Sequence, residues 1–179
     1  MVDVGDIQLR PAVIADRRQI FEALARSDLT DVLLSHPSQL YTPLLSYEDF
    51  CSDYQDHYFD GSRPELGRCF IIEHAGEAVG QVSYNDVDPA SGFVELDIWM
   101  FGSQFAGKGF GTRALDALCR HLAVSLGIER FFMQPSASNE RAVRSYRKAG
   151  FREATAGELA ILKGISSPDA PDPFYMVRC

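Results

Sequence analysis

The sequence predicts an α+β or mixed α/β fold, in which one sheet is covered on both faces by helices. Three observations carry that reading. Compact β runs separated by turn residues fill positions 68–100, helical stripes follow the glycine-rich loop after them, and short strands stand at both ends of the chain. Strand, two helices, three strands, helix, strand, helix and two strands is the order this implies.

At the start, residues 7–11 alternate and stop at Pro11, as an edge strand does. From Asp16 to about position 27, Ile20, Phe21 and Leu24 fall on one helical stripe, and Asp16 with Gln19 offers a capping-box start. Residues 30–42 are mixed in character and predict a loop. A second helix is predicted over 46–57, with Tyr47, Phe50 and Tyr54 on one side and Glu48, Asp49, Asp53 and Asp56 available to solvent or ligand. Residues 68–74 and 77–84 form a hairpin about Ala75-Gly76, and 93–100 is the next strand after the turn chemistry of 88–92. Parity along that strand sets Glu95, Asp97 and Trp99 on one face and Val94, Leu96, Ile98 and Met100 on the other. A helix over 110–126 carries Leu115, Leu118, Leu122 and Leu126 on one stripe and stops at Gly127. A strand at 130–134 follows, then a helix opened by Asn139 and ended at Ala149-Gly150, and a last strand pair from Phe151 to 174–177. Residues 156–173 hold three prolines and are expected to be mostly exposed loop.

With 179 residues, positions 1–179 are read as one domain. No apolar run approaches the roughly 20 residues a membrane helix needs. The first residues carry acid where a secretory leader carries base, so a cytoplasmic protein with no membrane partner is expected. Cys51, Cys69, Cys119 and Cys179 are scattered and read as free thiols; the four histidines are equally isolated, and no metal site is expected. A formal charge of −8 argues against nucleic acid, whose phosphates demand cationic surfaces. It suits a cationic small molecule, although acidity also serves solubility alone.

The strongest local signal is Gln104-Phe105-Ala106-Gly107-Lys108-Gly109-Phe110-Gly111-Thr112, between a strand and a helix. Unpaired amide N–H groups at a helix start can grip an anion, and alternate glycines remove the Cβ atoms that would hold an oxygen off the backbone. A P-loop needs Ser or Thr for Mg²⁺ where Gly109 stands, and a dinucleotide loop needs its third glycine one residue later than Gly111. A helix start that binds nothing is the remaining alternative.

Gln104-x-x-Gly107-x-Gly109 resembles the Gln/Arg-x-x-Gly-x-Gly/Ala signature of the GCN5-related N-acetyltransferase (GNAT) superfamily. Residues 135–142, from Pro135 through Asn139 to Ala142, and Tyr146-Arg147-Lys148-Ala149-Gly150-Phe151 resemble the family's second cofactor motif, in particular that of bacterial aminoglycoside 6′-N-acetyltransferases. The resemblance implies a mixed, mostly antiparallel sheet of six to seven strands, about four helices and three layers. It also implies acetyl-CoA as cosubstrate, held by amides of the glycine loop, with Asn139 and Ala142 on the pantetheine side and no metal. Backbone N–H groups near Trp99 to Phe101 could donate to the acyl oxygen as it becomes an oxyanion, and Met100 and Phe101 would then flank the pantetheine, which pairs with strand edges much as a peptide does.

Transfer of acetyl to an amine needs a base, because an alkylammonium titrates near the lysine value of about 10.4. Asp97 and Glu95, on one strand face, could each take that proton directly or through water. By resemblance Asp97 falls where the aminoglycoside enzymes keep a carboxylate, and Glu95 where other members place a base; a merely solvated strand face is the plain alternative. Tyr146 falls where the family keeps a tyrosine facing the thioester sulfur, though on its own stripe it also reads as a packing aromatic. The expected activity is acetylation of a small cationic, aminoglycoside-like amine by direct attack on the thioester. Protein N-terminal or siderophore hydroxylysine acetylation, or a non-catalytic acetyl-CoA-binding module, are the alternatives, as monomer or homodimer.

Overall fold

The computed structural model describes residues 2–26, 46–137, 139–166 and 174–179. One sheet of eight strands runs through them in the order β1-β2-β3-β4-β5-β6-β8-β7. These are β1 (Val2–Val4), β2 (Ile7–Pro11), β3 (Gly67–His74), β4 (Glu77–Val87), β5 (Phe93–Met100), β6 (Arg130–Met133), β7 (Arg152–Glu153) and β8 (Met176–Arg178). Every pairing is antiparallel except β5 with β6. The mixed, mostly antiparallel sheet expected from the resemblance is therefore present. Its strand count exceeds the expected six to seven by one short edge piece, β1, too brief to leave a pattern; the strand expected from Phe151 is present as β7.

The β3–β4 hairpin turns on two left-handed residues, Ala75 at φ 50° and Gly76 at φ 80°, the twist a two-residue hairpin requires. β5 pairs with β4 from Val94 to Met100. Against β6 it pairs only from Phe93 to Glu95. Residues 96–100 therefore leave their parallel neighbour, and the sheet parts between β5 and β6.

Helices fill both faces. α1 (Arg17–Arg26), α2 (Tyr47–Asp53) and α3 (His57–Asp60) cover one; α4 (Phe110–Leu126) and α5 (Glu140–Lys148) cover the other; α6 (Ala156–Ile165) lies by the β6–β8 end. Leu115, Leu118 and Leu122 of α4 pack with Ile72, Val82 and Leu96. Ile20, Phe50 and Phe59 pack with Ile71 and Trp99 on the opposite face. Each such side chain taken fully from water contributes about 1.5–3 kcal/mol.

Several expectations change. Residues 30–42 lie outside the described residues. The second helix is broken: α2 ends at Tyr54, whose φ −90° and ψ 72° leave the helical region, and α3 is a separate turn closed by left-handed Gly61. The break lets Tyr54 stack on Phe50, with centroids 4.6 Å apart, and meet Trp99 edge-on at 6.0 Å. α1 is preceded by a 3₁₀ turn, and Asp16 accepts from the Val13 N–H at 2.8 Å and binds Arg10 instead of closing a box with Gln19. Leu126 is 42 % exposed, so the buried α4 stripe ends at Leu122. The loop expected over 156–173 is in fact helical to Ile165, with a capping box between Thr155 and Glu158. All three prolines come after that helix, so averaging over the segment hid it.

Candidate active site

The glycine loop leaves β5 through a 3₁₀ turn at Ser103–Phe105 and enters α4 at Phe110. Gly107 and Gly109 both lie in the left-handed region, at φ 77° and 81°, where a side chain is strained. Phe110 is buried, and Arg113 binds Asp6 at 3.1 Å, tying the start of α4 to the β1–β2 turn. Gly111 stands against Ile98 and Ser145, where a Cβ would make ordinary contact, 3.5 Å from Ile98 Cδ1. Thr112 Oγ1 meets Ser145 Oγ at 2.9 Å and joins α4 to α5. The first amides of α4 have no helical carbonyl before them, so they present a positive rim to an anion.

That rim opens on a cleft of about 610 Å³ between the parted edge of β5, the loop and α5. Trp99, Met100, Phe105, Ala106 and Gly107 line it, as do Gly109, Phe110, Gly111 and Thr112 at the start of α4. Asn139, Ala142 and Tyr146 form the α5 wall. Asn139 also caps α5, its side chain accepting from the Ala142 N–H at 3.0 Å. Three expected cofactor residues stand outside those walls. Phe101 packs with the aromatic layer of α2 and α3, Lys108 is exposed, and the Gln104 side chain folds back over Gly102. Arg141 and Lys148 enter the sequence reading only as part of the second motif; Ile98, Glu140, Ser145 and the basic residues Arg141, Arg144 and Lys148 also line the cleft and have no role assigned there by the sequence. Their spacing of three and four along α5 is the signal that could have found the last three.

On β5 the expected parity holds. Val94, Leu96, Ile98 and Met100 face α4, and Trp99 faces the aromatic layer. Asp97 shares the Trp99 face and is open to water while ringed by protein. That crowding raises its carboxyl above the ordinary value, and a hydrogen bond from Asn85 Nδ2 at 3.2 Å works the other way. Glu95 accepts from Gln134 Nε2 at 2.9 Å. Burial, and after it the charge of Asp97, pushes the phenols of Tyr146 and Tyr54 up. Those two tyrosines thus flank Asp97 from opposite faces of the sheet, where β5 has left β6. The cleft thus joins an anion rim, an apolar slot and a phenol held protonated at neutral pH, while the carboxylates of Asp97 and Glu95 stand outside its lining, on the other face of β5.

Among the described residues no group of three His, Cys, Asp or Glu side chains could hold a metal ion, and no helix is long and apolar enough to cross a membrane. All four cysteines are free.

Comparison with known proteins gives a consistent picture. Residues 6–152 match the acetyltransferase (GNAT) domain family. The spermidine N(1)-acetyltransferase of Escherichia coli (strain K12) is 24 % identical over 159 residues, which is 89 % of this chain and 78 % of that protein. The aminoglycoside N(6′)-acetyltransferase type 1 of Klebsiella pneumoniae is 34 % identical over 94 residues, 52 % of this chain and 41 % of that protein. In structure, the aminoglycoside acetyltransferase AAC(6′)-Ib in complex with coenzyme A superposes with a TM-score of 0.71 at 23 % identity, covering 96 % of this chain and 94 % of that one. The structural likeness shows the fold.

Proposed function

This chain belongs to the acetyltransferase (GNAT) family, and from that premise we propose that it moves acetyl from acetyl-CoA onto a primary amine of a small polycation, an aminoglycoside or a polyamine. The observation that carries the proposal is the parting of β5 from β6 beside the cleft: Tyr146 lines that cleft, and Asp97, on the opposite face of the parted strand, is near enough for its charge to push the Tyr146 phenol up. Both relatives named above act, by their names, on polycationic amines, and a chain of net charge −8 suits such an acceptor.

In this reading residues 1–179 act as one acetyltransferase unit. Main-chain N–H groups from Gly107 to Thr112 hold the diphosphate of acetyl-CoA, and the unpaired edge of residues 96–100 receives the pantetheine arm. Asp97 takes a proton from the acceptor ammonium. Its raised carboxyl value narrows the mismatch with an alkylammonium near 10.4, which makes the transfer easier than for an ordinary aspartate. The freed amine attacks the thioester carbonyl; the C–S bond breaks, and Tyr146 gives its phenol proton to the departing thiolate. The acetylated nitrogen loses its second proton, and Tyr146 is reprotonated from solvent. The products are the amide, CoA thiol and one net proton. Glu95, engaged with Gln134, is assigned a supporting charge and not the base.

Incubation with acetyl-CoA and a panel of aminoglycosides, spermidine, peptide N-termini and hydroxylamines, read as free thiol, tests the proposal. Thiol release with the first two classes is expected. Preference for peptides or hydroxylamines would move the chain to the N-terminal or siderophore branch. Binding of acetyl-CoA with silence across the panel would make it a cofactor-binding module.

A further inference from the structure

The aromatic layer over β4 and β5 is joined to the sheet by a short polar arm. Tyr58 of α3 donates its phenol proton to Asn85 Oδ1 at 3.1 Å, and Asn85 Nδ2 donates to Asp97 Oδ2 at 3.2 Å. Asn85 stands diagonally across from Asp97: its partner in register is Glu95, while that of Asp97 is Ser83. The β4–β5 register shifts immediately after Asn85, and such irregularities re-aim side chains beside sites. The Tyr58 ring is itself wedged in place. It lies 4.5 Å from His57 and 5.3 Å from Tyr54, and a Cβ added at Gly67 would come within 2.7 Å of its Cε1.

We propose that Asn85 is a positioning residue for Asp97: with Tyr58 behind it, it holds carboxylate oxygen Oδ2 and leaves Oδ1 turned to the acceptor amine. The inference rests on Asp97 being the base and adds which oxygen does the work and what aims it. Charge dictates every direction in the arm. An ionised carboxylate only accepts, so the amide must offer it NH₂; its carbonyl then faces Tyr58, which must donate. Among the described residues Oδ1 of Asp97 makes no hydrogen bond, so it is open to one of the three N–H groups of a primary ammonium.

A donor on Oδ2 favours the ionised carboxylate against the crowding around it. Tyr54 and Tyr58 face Asp97 from the helical layer, Tyr146 from α5, Cys69 and Ser83 from β3 and β4, and Glu95 from its own strand. Burial drives the phenols of Tyr54 and Tyr146 and the thiol of Cys69 upward, away from acid pH. Glu95 is the other carboxylate on that face, so Glu95→Gln is the control. Without Asn85, crowding acts alone and Asp97 keeps its proton to higher pH; the acid limb of kcat/KM, where the base must be unprotonated, moves up.

The test is the profile of kcat/KM from about pH 5 to about pH 9. Asn85→Ala is expected to move the acid limb up by about one unit, the worth of one hydrogen bond to a charged group. Asn85→Asp sets a like charge beside Asp97 and moves it further, and Tyr58→Phe moves it the same way by less than Asn85→Ala. Glu95→Gln leaves these displacements in place. If Asp97→Asn abolishes the limb while both Asn85 variants keep it where the parent has it, the positioning role is overturned and the base survives. If Asp97→Asn leaves the limb intact, the base assignment fails and this inference fails with it. Acetyl-CoA affinity by calorimetry certifies folding; should Asn85→Ala not fold, the isosteric Asn85→Asp and Tyr58→Phe decide the question by the same displacement of the limb.

Discussion

The wall of the gap on the α4 side is built largely from main chain, whereas the wall on the α2–α3 side is built from side chains drawn from separate elements. The first needs glycine at two left-handed positions and a helix start, features fixed by a few consecutive residues. The second needs Tyr54, Tyr58, Asn85 and Asp97 to converge from the break after α2, from α3, from β4 and from β5. On the proposed reading the first wall holds a constant ligand by its phosphates and the second meets the acceptor. A backbone site answers to conformation and a side-chain site to chemistry, so substitutions on the two walls should separate binding of acetyl-CoA from turnover.

The largest separation is expected from Asp97→Asn. Loss of a general base lowers kcat/KM by about a hundredfold or more, while the acetyl-CoA dissociation constant, measured by calorimetry, stays near that of the parent. A parallel loss of acetyl-CoA affinity would mean that the two walls are not independent. Tyr146→Phe comes next. It keeps the ring that packs toward Phe151, at 6.4 Å, and removes only the proton donor, so kcat should fall about tenfold with affinity retained. An unchanged kcat, where chemistry limits turnover, would leave Tyr146 as a packing residue alone.

Gly109→Ala probes the other wall. A side chain at φ 81° is strained by roughly 1–2 kcal/mol, and its Cβ would meet Arg113 Nη1 at 2.9 Å. Acetyl-CoA binding should weaken about tenfold, with kcat at saturation little changed. Gly127→Ala, at φ 68° on the far end of the same helix, is the control: similar strain there should lower thermal stability without touching affinity.

The same contrast explains what the sequence disclosed. The bounds of α4, the Asn139 cap and the two faces of β5 depend on neighbours within a turn of helix or along one strand, and all three are legible. The parting of β5 from β6 is a matter of register between strands more than thirty positions apart, which periodicity does not encode. Asn85 and Tyr58 carry no motif; they matter because a break at Tyr54 swings α3 over β4. α6 went unread for a different reason. Its capping box at Thr155 and Glu158 is a sound local start signal, but three later prolines dominated the composition of the stretch.

The smallest effect should come from the side chains that decorate the backbone wall. Arg141, in the first turn of α5, lines the cleft and is exposed, so its attraction for a phosphate is screened by water and salt. An exposed charge pair is worth about 0.2–1 kcal/mol. Arg141→Ala should therefore weaken acetyl-CoA binding only about two- to fivefold, and less at high salt. If it costs as much as Gly109→Ala, and the loss persists in concentrated salt, anion recognition belongs to the arginine and the main-chain amides are secondary. If affinity does not move at any ionic strength, α5 contributes shape to that wall and no charge.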